Sequence, residues 1–379
     1  MALRRLRGWR GADFIQGDEV KTTLSALLIL VAAGPATATP AYSAAYGQKC
    51  ALCHVNPTGG GMRGAYASQF LIPAEIAFSA SGREAEGSAG AAISEQVSVG
   101  SDLRTLLRYS AEEDHSSENN IFQMQGDLYL HFQMGERFSA YLEQGISGSY
   151  EIYGTAFVLP AGGYFKVGRF TPAYGWRFAD HGMYVRQELG WAPPQHSDVG
   201  LELGFYPGNT SLNIALLNGS RGQVLDGDDR YAAALRGEWR RGIGPANLAL
   251  GGSYHRDQES GIERALYGPF YYLNIGRLSL IGEWGLESLD GRSGDRMAYS
   301  QELRWRLKRG LDLRMTYNFL DPDTERQTGS RSKAGLGADL LATPFFGVLA
   351  MLNYHQFEEG EEITGEDFLQ AELVVHFLY

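Results

Sequence analysis

Cys50-Ala51-Leu52-Cys53-His54 is the stretch of this 379-residue chain whose residue types and spacing point to a defined chemistry. Two thiols three positions apart can each form a thioether to a vinyl group of haem, and the neighbouring imidazole of His54 can supply one axial nitrogen to the iron. C-x-x-C-H is the attachment pattern of covalent haem c. Cys50 and Cys53 are the chain's two cysteines. A disulfide-rich scaffold is therefore excluded, and a cysteine-based zinc site would lack its third and fourth sulfurs. Two other readings of the pair stay open: a thioredoxin-like redox dithiol, which expects a βαβ context that the surrounding sequence does not offer, and a structural disulfide.

The second axial position is the open part of this site. Met62 ranks first, because it follows Gly59-Gly60-Gly61 within the same short segment. His/Met ligation raises the potential relative to many alternatives. His131 ranks second, on the polar face of a strand pattern, and His376 is placed similarly on the last one. A lumen-facing histidine in a large barrel is ordinarily just solvated, and an iron with no distal protein ligand is the remaining option. The glycine run reads either as backbone that approaches the haem closely or as a hinge.

Covalent haem attachment takes place outside the cytoplasm, so an export signal is expected. Leu24–Ala33 is a short apolar run between Lys21 and Ala36-Thr37-Ala38, the layout of a secretory signal cleaved after Ala38. It is too short for a spanning helix, which needs about 20 apolar residues. Asp13, Asp18 and Glu19 fit a basic leader poorly, so residues 1–19 read as a spurious extension with translation starting at Val20. Removing residues 1–38 deletes five basic and three acidic residues and moves the formal net charge from −11 to −13. That balance argues against nucleic acid as a partner.

The elements that must position the haem segment come after it. Residues 39–75 carry the motif, and 76–95 read as a linker rich in Ala, Gly, Ser and Glu. From residue 96 to 379 apolar and polar residues alternate in segments of about ten, which is the signature of a transmembrane barrel. Sixteen strands are predicted: 96–109, 121–134, 138–147, 150–159, 164–172, 198–206, 210–218, 230–240, 246–256, 265–275, 278–288, 296–307, 311–320, 331–342, 347–357 and 368–379. Short connectors such as Gly135–Arg137 and Pro207–Asn209 alternate with long ones such as Ala111–Asn120, Asp257–Glu263 and Glu358–Asp367. Short periplasmic turns and longer external loops are the barrel rule. The chain also ends on an aromatic, Tyr379, inside its last strand, which resembles the terminal signal read by outer-membrane assembly machinery. The expected fold class is therefore all-β: a large antiparallel transmembrane barrel of about sixteen strands in the bacterial outer membrane. A small haem segment sits in or at a lumen wide enough to hold it. The 45 Tyr, Phe and Trp residues are accounted for by interfacial girdles.

Export signal, one C-x-x-C-H and a porin-like barrel, in that order, resemble the fused outer-membrane porin–cytochromes of extracellular electron transfer, best known from iron-oxidising bacteria. As a specific motif the resemblance rests on Cys50, Cys53 and His54; Val55-Asn56-Pro57-Thr58 and the glycine run resemble the haem-flanking stretch of some outer-membrane monohaem proteins. It implies a one-electron conduit with a single haem c, embedded in outer-membrane lipid. Such a conduit exchanges electrons with a periplasmic cytochrome c and an extracellular partner such as Fe(II). Any catalytic activity would be that of an Fe(II) oxidase; no nucleophilic triad, phosphate loop or paired-carboxylate motif stands out. The acidic runs Glu112–Asp114, Asp226–Asp229 and Glu358–Glu362 fall in long connectors, where they would concentrate cations or simply keep external loops hydrophilic. Three other functions remain: outward electron transfer to an external acceptor, a solute porin whose haem segment is a redox-sensitive plug, and a barrel that scaffolds a larger cytochrome complex. The longest connector, Ala173–Ser197, carries Arg177, His181 and Arg186 among aromatics, and reads as a loop that lines the electron entry route or narrows the pore, or as a surface cap.

Overall fold

The computed structural model describes residues 40–78 and 93–379, apart from 112–117, 147, 193–196, 221–222, 224–228, 260, 327–328 and 359–365. The signal segment 1–38, most of the linker and the acidic runs Glu112–Asp114, Asp226–Asp228 and Glu359–Glu362 lie outside the described residues.

The alternating half of the chain forms sixteen strands among the described residues. They are β1 (Val97–Ala111), β2 (Glu118–Met134), β3 (Phe138–Gly145), β4 (Tyr150–Leu159), β5 (Gly163–Phe170), β6 (Asp198–Phe205), β7 (Thr210–Leu217), β8 (Ala232–Ile243), β9 (Ala246–Glu259), β10 (Ile262–Ile275), β11 (Leu278–Leu289), β12 (Arg296–Lys308), β13 (Leu311–Asp321), β14 (Arg331–Thr343), β15 (Phe346–Phe357) and β16 (Phe368–Leu378). Each pairs antiparallel with its sequence neighbours, and β1 pairs with β16 from Asp102↔Leu378 to Ala111↔Leu369, which closes the barrel. Tyr379 extends the seam, exchanging two 2.9 Å backbone bonds with Ser101. Closure leaves no strand edge unpaired, the condition for a sheet to cross a bilayer.

The period of two decides which way each side chain points. Leu128, Leu142, Leu216, Leu250, Leu336 and Leu352 are exposed on the outer face, where the bilayer takes the place of water. Exposed rings band both ends: Phe138, Trp305, Phe377 and Tyr379 near the short turns, Tyr109, Tyr317 and Tyr354 toward the long loops. The inner face is polar and paired. Lys166 and Glu202 are fully buried at 2.7 Å, and Glu302 bridges Arg304 and Arg314 at 2.5 and 2.7 Å. The short turns are as tight as expected; β10 and β11 are joined by Gly276-Arg277, with Gly276 at φ 58°, a backbone region that glycine enters without cost. One expected long loop is absent. Across Asp257–Glu263 the strands run on, with Glu259 paired to Ile262, because charged residues can continue the ladder beyond the apolar belt.

The lumen is filled from both ends. At the short-turn end, periplasmic by the barrel rule, residues 40–78 form three short helices: α1 (Pro40–Tyr46), α2 (Cys50–Cys53) and α3 (Ile72–Glu75), the last preceded by a π turn, Ala67–Leu71. From the other side connector residues 171–192, with α4 (Tyr184–Gln187), fold inward rather than capping the surface. Its Trp176, Phe178, Met183 and Leu189 pack with Ala41 and Ala44 of α1 and with Phe270, Tyr272 and Ile281 of the wall. The segment expected as linker is pinned where it is described: Ala77 and Phe78 donate to Leu341 and Ala342 of β14 at 2.6 and 3.2 Å.

Candidate functional site

α2 is one helical turn, so Cys50 and Cys53, three residues apart, project from the same side. His54 ends the turn in extended backbone, its N–H still donating to the Cys50 carbonyl at 3.0 Å. The chain then doubles back. His54 bridges to Arg63, Val55 donates to Met62 O at 3.1 Å, and Gly64 donates to Cys53 O at 2.8 Å. The reversal is made by Gly59, Gly60 and Gly61, at φ 88°, 76° and 61°. A Cβ would pack tightly on Cys50 at Gly59, 3.4 Å from its Sγ, and would collide at Gly60, 2.8 Å from Arg177 Nη1, and at Gly61, 2.4 Å from Tyr141 Oη. The run is therefore a close approach to the thiols and the wall, not a hinge.

Polar contacts to the wall hold this hairpin in the lumen. Lys49 donates to the carbonyls of Gly208 at 2.9 Å and Thr210 at 3.2 Å, and Asn247 donates to Ala45 O at 3.0 Å. Arg306 pairs with Glu75 at 2.9 Å, and Arg240 donates to Gln48 O. These partners flank short turns, so the haem-motif segment is attached at that end.

Cys50, Cys53 and His54 line one cavity, with about 1680 Å³ of space free of atoms, part of it continuous with the open lumen. The connector supplies the facing wall: Trp176, Arg177, Phe178, His181 and Arg186. Ala67, Leu71 and Ile72 add an apolar side. The sequence had marked this connector as lining an electron entry route, narrowing the pore or capping the surface. Its length and its arginines and aromatics were the available signal, but which of its residues would face the thiols depends on a crossing of the barrel that no local pattern encodes.

The residues present fit haem c on three observations. Two free thiols stand beside a histidine. His54 Nδ1 is buried with no hydrogen-bond partner, and burial together with Arg63 and Arg177 pushes this imidazole down to about 4, so at neutral pH it is an uncharged donor. Arg63 donates one Nη to Pro344 O at 2.8 Å, yet its Nε and other Nη are buried and unpartnered at the cavity wall, a ready pairing for a carboxylate such as a propionate. Burial, then the neighbouring Cys50, pushes the Cys53 thiol up to about 11, so it rests protonated.

The two residues ranked for the distal position are elsewhere. Met62 is buried against the wall with Tyr129, Tyr141 and Tyr153, and its Cγ faces Gly100 of β1, not the cavity. His131 lies on β2 and does not line the cavity. His376 Nε2 donates to Asp102 Oδ1 at 2.7 Å, within an Asp102–Arg104 cluster of the wall.

No family model matches the sequence, and no curated protein matches it. The fold does match solved structures. An anion-selective porin from Comamonas acidovorans aligns with a TM-score of 0.56 at 11% identity, over 75% of this chain and 99% of that one. OprB of Pseudomonas putida aligns with a TM-score of 0.58 at 11% identity, over 75% of this chain and 94% of its own. OmpT of Vibrio cholerae aligns at 0.54 with 11% identity, over 75% and 97%. The aligned share is the size of the stretch from β1 to Tyr379, which holds the sixteen strands and their connectors. The chain thus has the barrel fold of outer-membrane porins, and with its closed ladder and apolar outer belt it is an outer-membrane, lipid-embedded protein.

Proposed function

We propose that the protein is an outer-membrane electron conduit carrying one covalent haem c. It moves electrons between an extracellular donor, ferrous iron, and a periplasmic cytochrome c. The observation that carries this reading is the placement of Cys50, Cys53 and His54 together on a cavity inside a closed barrel. When bound, haem would supply reversible one-electron chemistry, with a potential set by axial ligands, burial and neighbouring charge. The chain's part is positioning. Cys50 and Cys53 would fix the macrocycle through two thioethers, His54 would hold one face of the iron and Arg63 one propionate. Trp176 and Phe178 would exclude water from the other face. The barrel crosses the bilayer around this site, so one cofactor is reachable from both sides through protein.

The porin likeness favours a second reading, a solute channel with a haem-bearing plug. Against it stands the lumen: α1 and the connector pack into one core with the wall, and inner residues such as Lys166 with Glu202 and Glu302 with Arg314 are paired. The deciding experiment is an anaerobic visible spectrum of the oxidised, detergent-purified protein on adding ferrous iron, with dithionite as the full-reduction control. Reduction by iron to the dithionite level is expected. Reduction by dithionite alone would turn the reading toward outward transfer at lower potential. A large ion current in planar bilayers that survives loss of haem would replace it with the porin reading.

A further inference from the structure

On the connector side of the cavity stands one histidine that no sequence argument ranked. We infer that His181 is the distal axial ligand of the iron, an inference that rests on the haem reading above. Among the residues lining the cavity, the imidazoles are His54, in the attachment motif, and His181, on the facing connector. Tyr42, Lys49 and Tyr174 also line it, and Tyr174 Oη is buried without a hydrogen-bond partner, but a phenol must lose its proton to ligate whereas a neutral imidazole need not. Tyr174 stacks on Trp191 with ring centroids 4.7 Å apart. Tyr42 lies beneath the Arg306 guanidinium at 5.7 Å. Lys49 donates to three backbone carbonyls of the β6–β7 turn. No hydrogen bond engages the His181 ring among the described residues.

The turn that presents His181 is held from three strands. Arg104 of β1 donates to Ala179 O at 2.7 Å. Arg314 of β13 pairs with Asp180 Oδ2 at 3.2 Å, and Asp180 Oδ1 accepts from Gly182 N at 2.8 Å. Lys333 of β14 donates to Gly182 O at 2.6 Å. The residues on either side of His181 are thus fixed, while its ring is left unengaged at the cavity. That is how a supporting shell holds a ligand whose geometry matters. A buried loop in a barrel needs its carbonyls satisfied, but satisfaction alone does not explain why the one residue so flanked is an unbonded imidazole. His181 also lines a second cavity, shared with Arg108 and Glu372 toward the outer end of β1 and β16. Ligation through His181 would therefore connect the iron to the side of the lumen from which an external donor arrives.

The test uses the full-length, detergent-purified protein. Its intact mass is measured first, because a mature chain without the added mass of haem would overturn the haem reading and this inference together. With haem attached, near-infrared magnetic circular dichroism and electron paramagnetic resonance of the oxidised protein should show a low-spin iron with two imidazole ligands. A methionine–imidazole or high-spin signature in the wild-type protein would overturn the assignment of His181 while leaving the haem reading intact. In His181→Ala the iron should become high-spin, the reduced form should bind carbon monoxide, and added imidazole should restore the low-spin spectrum. Met62→Leu should leave the wild-type spectrum unchanged. A His181→Ala protein that keeps the wild-type low-spin signature would also overturn it. Should that variant fail to assemble, His181→Met supplies the same reading: conversion to the methionine–imidazole signature with a raised midpoint potential.

Discussion

β8 points Ala232, Ala234, Arg236, Glu238 and Arg240 into the lumen and Leu235 and Trp239 to the lipid, in strict alternation. The connector residues 171–192, which enter the lumen beside it, bury Ala173, Tyr174, Trp176, Phe178, Met183, Tyr184, Val185 and Leu189 at no constant spacing. The two regions meet at Arg236, whose guanidinium donates to Gly175 O at 3.0 Å and lies 4.3 Å from the Phe270 ring centroid. In the wall, the fate of a side chain follows from the parity of its position. In the lumen it follows from which distant strand it happens to reach. A wall of this kind can be assembled first and can hold many contents, whereas the contents have no fold without the wall: residues 40–78 are too few for an independent core.

The most severe way to test that asymmetry is Cys53→Ala. The expected outcome is loss of normal two-thioether attachment, with little or no haem retained, and a barrel that still runs as the compact species on unheated gels. Haem staining and gel mobility check both halves. Failure of the barrel to form would mean that the wall depends on its contents. The next largest effect is expected from Lys166→Met. Lys166 and Glu202 are both fully buried at 2.7 Å, so removing the cation strands a carboxylate and should cost about 3–5 kcal/mol in reversible unfolding from lipid. The double variant Lys166→Met, Glu202→Leu should recover most of that loss, because no charge is left unpaired.

On the lipid side, Leu352 of β15 is exposed midway along its strand. Leu352→Arg should cost about 2–4 kcal/mol, measured by the same unfolding assay, since the cost of a cation there is set by bilayer depth alone. A loss well below about 1 kcal/mol would place that face outside the hydrocarbon.

These contrasts track what could be read from the sequence. All sixteen strands were legible because alternation and turn residues recur along every one of them. The departures are of the kind that pattern reading produces: the β9–β10 hairpin extends to Glu259 and Ile262, where charged residues hid the strand. Cys50, Cys53 and His54 could be picked out together because they are adjacent in sequence at a fixed spacing, and one helical turn brings them to one cavity. Met62 was a local guess: it is eight residues from His54 in sequence, but the glycine run turns its side chain into the wall. His181 and Arg63 were not legible as site residues. His181 reaches the cavity only because wall cations on β1, β13 and β14 grip its neighbours, and the donors that Arg63 leaves unpartnered exist only once Pro344 has taken another. Neither arrangement leaves a mark within a window of sequence.

The finest comparison is between two glycines of the same backbone class in the two regions. Gly61, at φ 61°, faces Tyr141 Oη and Glu143 Oε2, where a Cβ would come within 2.4 and 2.9 Å. Gly208, at φ 55° in the β6–β7 turn, has nothing within 4 Å of its Cβ position. Both substitutions to alanine incur the left-handed backbone cost, about 1–2 kcal/mol. Only Gly61→Ala adds a collision, and the atom it meets is Tyr141 Oη, which accepts the Met62 N–H at 3.1 Å and donates to Glu143 at 2.8 Å. Relieving the clash means moving a buried ring in a close-packed cluster, an overpacking cost of about 1–3 kcal/mol more. That cost falls on the hairpin, because the ladder of β3 is held by both neighbours. Gly208→Ala should therefore leave haem content unchanged and lower unfolding stability slightly. Gly61→Ala should leave barrel stability nearly unchanged but reduce haem content per barrel several-fold, read as the ratio of haem absorbance to protein. Equal losses from the two variants would show that the hairpin is held no more tightly than a surface turn.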